Sequence, residues 1–393
     1  MKSSPPKKMT AREREDRNLS DTAAILGCEK SEVKDHIASL QMQQSGFQYN
    51  NVITASRMGT AMTCWRKHFW YNEVGLRKIE ETSAALRFGT AWHAGMEARW
   101  NSKSYDEALE AAFPEDARFD EFEMAKLSAL LFAYYENYGK REQFGKLHPE
   151  IKFSREIKSP FSAQGKIDGL GSLKDGRSAI IESKTTKDSI SPGSDYWLRL
   201  DFNVQVLQYL YEARQLGWDV SVIYYDVTHK PSLQPKEAVD ELDEDGLKIV
   251  LGQDGKRVIN QKGQHKGKPK QSADKEKGQY IKSHPETPDE YCNRIFADCK
   301  SRPEFYFVRR QMIPDEKLIN DFVYFRLHFV KMLQFFRSEE RGKVRDPRPW
   351  IRNISEDTCT WCPFKDFCLQ NLTIDLNHPP VGFEVGEFNP ELK

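Results

Sequence analysis

The chain carries no surplus of charge. Its 393 residues hold 59 Lys and Arg against 59 Asp and Glu, so no global basic field announces a polyanionic partner and any such contact must come from local patches. Long apolar runs are also missing. None approaches the roughly 18 residues needed to cross a bilayer, which argues against a helical membrane span. Residues 1–8 lack the apolar stretch of a secretory signal, so the cytoplasm is the expected compartment. No internal repeat is visible. Cysteine is scarce and odd in number, seven in all, and three of these fall within ten residues at Cys359, Cys362 and Cys368. That pattern argues against a disulfide framework and for metal ligation in a reducing compartment.

What is present divides into stretches of distinct character. Residues 1–48 begin as a polar, flexible start and then turn helical. Within 20–40, Ala23, Gly27 and Val33 fall where a helix-turn-helix needs a small residue, a turn glycine and a buried anchor. A helical hairpin that touches no DNA is the alternative. Amphipathic spacing predicts helices over 83–100 and 119–144. The period then changes to that of strands at 152–160, 161–173 and 177–184, with a turn at 174–177. Helical spacing returns over 195–216, and 220–228 reads as a strand buried on both faces. Residues 254–282 hold nine Lys and Arg against three acids and read as an exposed, irregular basic insertion able to track a phosphate backbone or simply be solvated. A helix over 288–300, a strand over 304–311, a long helix over 315–336 and the cysteine-rich segment follow. Residues 371–393 read as a separate tail.

Two strands joined by a short turn bring Asp168 opposite Glu182, and period-two alternation puts Glu182 and Lys184 on one face. Two carboxylates and an ammonium then lie within reach of one phosphate. The carboxylates suit Mg²⁺ or Mn²⁺, hard cations that prefer oxygen and can activate a bound water. Lys184 would orient that water and stabilise charge on the phosphate. A surface ion pair is the bland alternative, but Ile180 and Ile181 mark a buried strand, where unpaired charge is costly. The three clustered thiols need a fourth ligand from elsewhere and suit an iron–sulfur cluster or zinc. Arg57, Arg66 and Lys67, among the aromatic residues Trp65, Phe69 and Trp70, offer phosphate contacts and stacking to a DNA strand, unless those aromatics are packing.

In this order the motifs resemble the PD-(D/E)XK nuclease superfamily, and within it the RecB-type branch that includes phage exonucleases and the iron–sulfur CRISPR adaptation nucleases. The resemblance rests on the helical segment Gly89-Thr-Ala-Trp-His93, the strand Gly165-Lys-Ile-Asp168, the strand Glu182-Ser-Lys184 and the helix Gln205-Val-Leu-Gln-Tyr209. Some branches place a proline before the aspartate; here Ile167 stands there. The resemblance implies an α/β restriction-endonuclease-like core, a central mixed sheet flanked by helices, with helical additions and a cysteine-ligated cluster, over residues 52–370. It implies that His93, Asp168, Glu182 and the Ser183 carbonyl hold the metal. Lys184 would then be the catalytic lysine, with Gln205 and Tyr209 positioning it. It also implies that Cys64 joins Cys359, Cys362 and Cys368 around a [4Fe-4S] cluster, with zinc as the alternative. The activity so implied is metal-dependent DNA exonuclease action of phage or mobile-element type in a bacterial cytoplasm. Single strands or duplex ends would be the substrate, and a phage recombinase or helicase a partner. The rival is a non-catalytic DNA-binding accessory protein on the same scaffold.

Overall fold

The computed structural model describes residues 49–392, apart from breaks at 80–83, 116–117, 140–141, 202, 314, 341–344, 371 and 373, together with Asp16, Ser20, Glu29 and Lys30. The helix-turn-helix reading of 20–40 lies outside the described residues.

Six strands make the central sheet: β1 (Val52–Ile53), β2 (Phe144–Lys158), β3 (Phe161–Leu173), β4 (Ser178–Thr186), β5 (Val220–His229) and β6 (Phe307–Met312). They run in the order β1-β3-β4-β5-β6, with β2 on the other edge of β3. The sheet is mixed: β1 is parallel to β3 and β4 to β5, while β2–β3, β3–β4 and β5–β6 are antiparallel. Six helices matter for the site: α1 (Ala55–Thr63), α2 (Ala84–Trp100), α3 (Glu121–Gly139), α4 (Val204–Gln215), α5 (Pro288–Ser301) and α6 (Glu316–Glu339).

Strand alternation sorts the two faces. Ile180, Ile223 and Val227 pack against Val206, Leu210 and Ala213 of α4. On the opposite face, Trp92 of α2 donates to Ser183 Oγ and Tyr134 of α3 donates to Asp226, while Tyr291 and Ile295 of α5 close the helical layer. A third, aromatic-rich cluster joins α1, Trp70 and Trp350 to Phe322, Phe329 and Phe336 of α6. The whole is the α/β arrangement expected, a mixed sheet flanked by helices. Among the described residues no helix is long and apolar enough to cross a membrane.

Several boundaries differ from the sequence reading, each for a physical reason. Strand β2 begins at Phe144, eight residues before the expected start, and α3 ends at Gly139. Strand β2 runs through Pro149; among the described residues it pairs only with β3, and an edge strand tolerates a proline. The helical stretch 195–216 is two helices, Asp195–Asp201 and α4, because Asn203 caps the second by accepting the Gln205 amide. Residues 303–306 form a helical turn with Pro303 at its first position, so β6 starts only at Phe307. The basic insertion is ordered as an antiparallel ribbon. Val239–Asp240 pairs with Ser283–His284 and Val250–Leu251 with Tyr280–Ile281, and Lys248, Arg257 and Lys282 are spent on Asp240, Asp243 and Glu241. The tail also folds back. Phe383–Val385 pairs with Leu76–Lys78, and Asn50 exchanges side-chain hydrogen bonds with Asn389.

Candidate active site

Strands β3 and β4 pair from Ser172/Ser178 up to Gly169/Ile181, which brings Asp168 opposite Glu182 at the next step. There the ladder stops. The same edge of β3 is taken up again at Ser162 and Ala163 by β1, so the sheet splits between them. The Asp168 carboxylate bridges the split by accepting the Ser183 amide at 3.1 Å. Helix α2 brings His93 Nδ1 to 3.6 Å from Asp168. Lys184 Nζ lies 2.5 Å from Glu182 Oε1 and donates to Gln205 Oε1 at 2.8 Å; Gln205 in turn donates to the Tyr209 hydroxyl at 2.9 Å. The residues singled out in sequence as His93, Asp168, Glu182, Ser183, Lys184, Gln205 and Tyr209 thus meet at one split in the sheet.

The charges there are out of balance. Glu182 is fully buried, and neither of its oxygens accepts a hydrogen bond of good geometry. Burial, then the neighbouring Asp168, pushes its carboxyl up to about 7 despite the lysine. Burial likewise pushes Asp168 up to about 6. Burial would lower the Lys184 ammonium, but Glu182 and Asp168 outweigh it and hold its pKa above the ordinary value. Desolvation, with Lys184 next in size, lowers His93, which favours the neutral imidazole that a metal can use. Two carboxylates starved of positive charge, with a neutral imidazole beside them, are a donor set suited to a hard divalent cation. As placed, no group of three or more His, Cys, Asp or Glu among the described residues closes on one metal position.

An open groove of about 1250 Å³ is lined by His93, Asp168, Lys184, Gln205 and Tyr209 of this cluster, while Glu182 and Ser183 stay buried, and its walls include residues that the sequence reading passed over. Glu150 on β2 adopts φ +57°, a left-handed conformation that costs a non-glycine residue roughly 1–3 kcal/mol, and forms an ion pair with Lys166. Glu97 lies one helical turn beyond His93, a spacing that could have flagged it; burial and Glu150 raise its pKa. Pro390, Glu391 and Leu392 form another wall, where Glu391 accepts from the Thr54 hydroxyl at 2.6 Å. No local signal marks these three.

Two of the suggested DNA contacts are corrected. Arg57 is fully buried and bonds Glu73, His68 Nε2 and the carbonyls of Asn50 and Val52, so it is spent inside the fold. Arg66 is 5% exposed and donates to the Trp350 carbonyl. Lys67 keeps partial exposure beside Cys362. Phe69 and Trp70 are buried packing residues, while Trp65 is half-buried and stacks on Phe329.

The four cysteines named in sequence are all free thiols, Cys64 buried and Cys359, Cys362 and Cys368 half-buried. Burial raises Cys362, and Cys64 and Cys368 lie near enough to add to that. Cys359 precedes Cys362 by one turn, the Cys362 amide donating to its carbonyl. Arg66 faces both Cys64 and Cys368 and keeps a buried Nη1 without a hydrogen bond, while Lys67 faces Cys362. Cys292 and Cys299 pack in the α5 layer.

A family model described as the PD-(D/E)XK nuclease superfamily matches residues 52–369. No curated protein matches the chain. Solved structures similar to it include one described as SSO0001, at 10% identity and TM-score 0.20, covering 70% of this chain and 85% of that one. Another is a "Putative exonuclease" from Eubacterium rectale, at 10% identity and TM-score 0.32, covering 66% of this chain and 85% of that one. Likenesses this faint bear on neither fold nor activity.

Proposed function

Because the chain belongs to the PD-(D/E)XK nuclease superfamily, we propose that it is a divalent-metal-dependent deoxyribonuclease that works from DNA ends, of the RecB type found in phage and mobile-element exonucleases. The observation that carries the reading is Glu182: a fully buried carboxylate opposite a second one, Asp168, with a single cation, Lys184, to balance the two and no hydrogen bond of good geometry on either oxygen. A natural core does not leave such a group unbalanced unless something else completes it. His93, Asp168, Glu182 and the Ser183 carbonyl would hold Mg²⁺ or Mn²⁺, which when bound supplies an activated water and neutralises charge at the scissile phosphate.

The chain's own groups do the rest. Lys184, kept protonated by the two carboxylates, presents its ammonium to a phosphate oxygen and to the attacking water. Gln205 fixes that ammonium by accepting one of its protons, and Tyr209 fixes Gln205. A DNA strand would lie in the groove, where Lys166 and Arg199, paired in the free protein with Glu150 and Asp188, would turn to the phosphate backbone. End-labelled linear DNA incubated with Mn²⁺ or Mg²⁺ is expected to be degraded while closed circles survive. Glu182→Gln is expected to bind DNA without cutting it. Intact linear DNA with both metals, or a Glu182→Gln variant that still cuts, overturns the assignment.

The cysteines we assign to a [4Fe-4S] cluster held by Cys64, Cys359, Cys362 and Cys368, distinct from the hydrolytic site. The nearness of Cys64, Cys362 and Cys368, and the cations facing them, support this. Anaerobic purification is expected to give a brown protein absorbing broadly near ~400 nm. A colourless protein with one zinc per chain would favour zinc instead.

A further inference from the structure

Next to the catalytic groove lies a second, largely apolar pocket of about 390 Å³, lined mainly by Ala61, Met62, Trp65, Phe325, Phe329 and Ile351; it also reaches Cys64, and Thr63 and Asn353 are its polar members. Met62 and Thr63 line both spaces, so the two are continuous across the end of α1. Their chemistry changes at that point. The groove carries charges of both signs, Lys166, Lys184 and Arg199 with Glu97, Glu150, Asp168 and Glu391, and the pocket beyond Met62 is aromatic and aliphatic. Met62 is 57% exposed, Trp65 and Phe325 are half-buried, and Trp65 is held by stacking on Phe329 at 5.2 Å between ring centroids. Between the two spaces α1 presents Gly59, which lines the groove and whose absent Cβ would meet nothing within 4 Å. A glycine inside a helix costs roughly 1 kcal/mol relative to alanine, and here no close packing requires it. Its effect is to keep the way along α1 low.

We propose that this pocket holds an unpaired nucleobase of the DNA strand whose phosphate sits at Asp168 and Glu182. The inference rests on the nuclease reading above and names the form of DNA that the site takes: a single strand, or a duplex end frayed by at least the base in the pocket. A strand that sets one phosphate beside Lys184 carries flat apolar bases that suit the aromatic pocket continuing from the groove, and base–aromatic stacking tolerates any sequence. In an intact duplex the same base is stacked and paired, and is not free to enter.

The test uses the full-length Glu182→Gln protein and short oligonucleotides carrying 2-aminopurine at successive positions. Quenching is expected at one position in single strands and absent from blunt duplexes. Phe325→Ala is expected to abolish it and to weaken single-strand binding by about tenfold, within the range for one stacked base. An abasic site at that position should cost the Phe325-containing protein a similar factor and the Phe325→Ala protein little more. Tyr324→Ala, at an exposed neighbouring position outside the pocket, is the control and should bind unchanged. Gly59→Leu should impair binding of the strand without unfolding the chain, as judged by circular dichroism. Position-independent fluorescence together with equal affinities for the parent and Phe325→Ala proteins overturns the pocket assignment. If the wild-type protein also cuts DNA, only the pocket assignment falls; if it neither binds nor cuts, the nuclease reading falls with it.

Discussion

Two carboxylates in this molecule are buried to the same extent and treated in opposite ways. Glu73, the last residue of the helical segment Phe69–Glu73, and Glu182, on β4, both have side chains with no exposure. Around Glu73 the fold gathers Arg57, Arg337 and Arg345, with Arg337 Nε at 2.8 Å and Arg345 at 3.5 Å. Burial would raise its pKa, but Arg337 and Arg57 more than offset that and hold it well below the usual carboxylate range. The cost appears elsewhere: burial pulls the Arg57 guanidinium down to about 10. Glu182 has one cation, Lys184, and a second carboxylate opposite, and its pKa moves up instead of down. The first arrangement is complete in the folded chain. The second is short of positive charge, which on the function proposed above a divalent cation would supply.

The largest effect should come from breaking the complete arrangement. Glu73→Gln leaves three arginines facing one another in the interior and should destabilise the protein by about 3–5 kcal/mol, read from urea midpoints at constant slope. The same substitution at Glu182 should do nothing of the kind. At pH 8, metal-free Glu182→Gln should be at least as stable as wild type, while kcat on linear DNA falls by at least ~10²–10³-fold, as should that of Lys184→Ala. Stability retained together with activity lost is the signature that separates the two carboxylates.

Titration sharpens the contrast, because the signs differ. The folded pKa values of Asp168 and Glu182, about 6 and about 7, lie above their unfolded values; their contribution to stability is therefore complete below about pH 4 and lost as pH rises through 6 and 7. Glu73 is depressed, so its contribution is present above its unfolded pKa and lost as pH falls through the folded one. Mn²⁺ or Mg²⁺ should therefore raise the thermal midpoint more at pH 8 than at pH 5, approaching ~2.7 kcal/mol at a hundredfold excess over Kd. An increment that does not change with pH would count against these two carboxylates as ligands. The smallest effect belongs to the half-exposed pair in the groove: Lys166→Ala, which removes the partner of Glu150, should cost at most about 1 kcal/mol.

The site was largely legible in the sequence because it is built from two local periods. Glu182 and Lys184 share a strand face, Gln205 and Tyr209 share a helix face, and the turn at 174–177 sets β3 against β4 so that Asp168 follows. Arg57 and Arg66 were misread because nothing near them in sequence reveals Glu73, or the loop at Trp350 that covers Arg66. Glu391 escaped notice for the same reason, reaching Thr54 across 337 positions. The ribbon at 239–284 looked irregular because its strands are two residues long and carry no hydrophobic alternation to read.

The split between β1 and β4 along β3 also sets where this chain can change length. Adding one residue between Glu182 and Lys184 would turn one of them to the opposite face of the sheet, toward Trp92, and no substitution elsewhere could restore both. The ribbon, whose turns close on themselves at Gly246, Gly255 and Gly263, can gain or lose residues without moving the sheet. Descendants of this sequence should therefore vary freely in the number of residues between β5 and α5, and keep a fixed count from the start of β4 to Lys184.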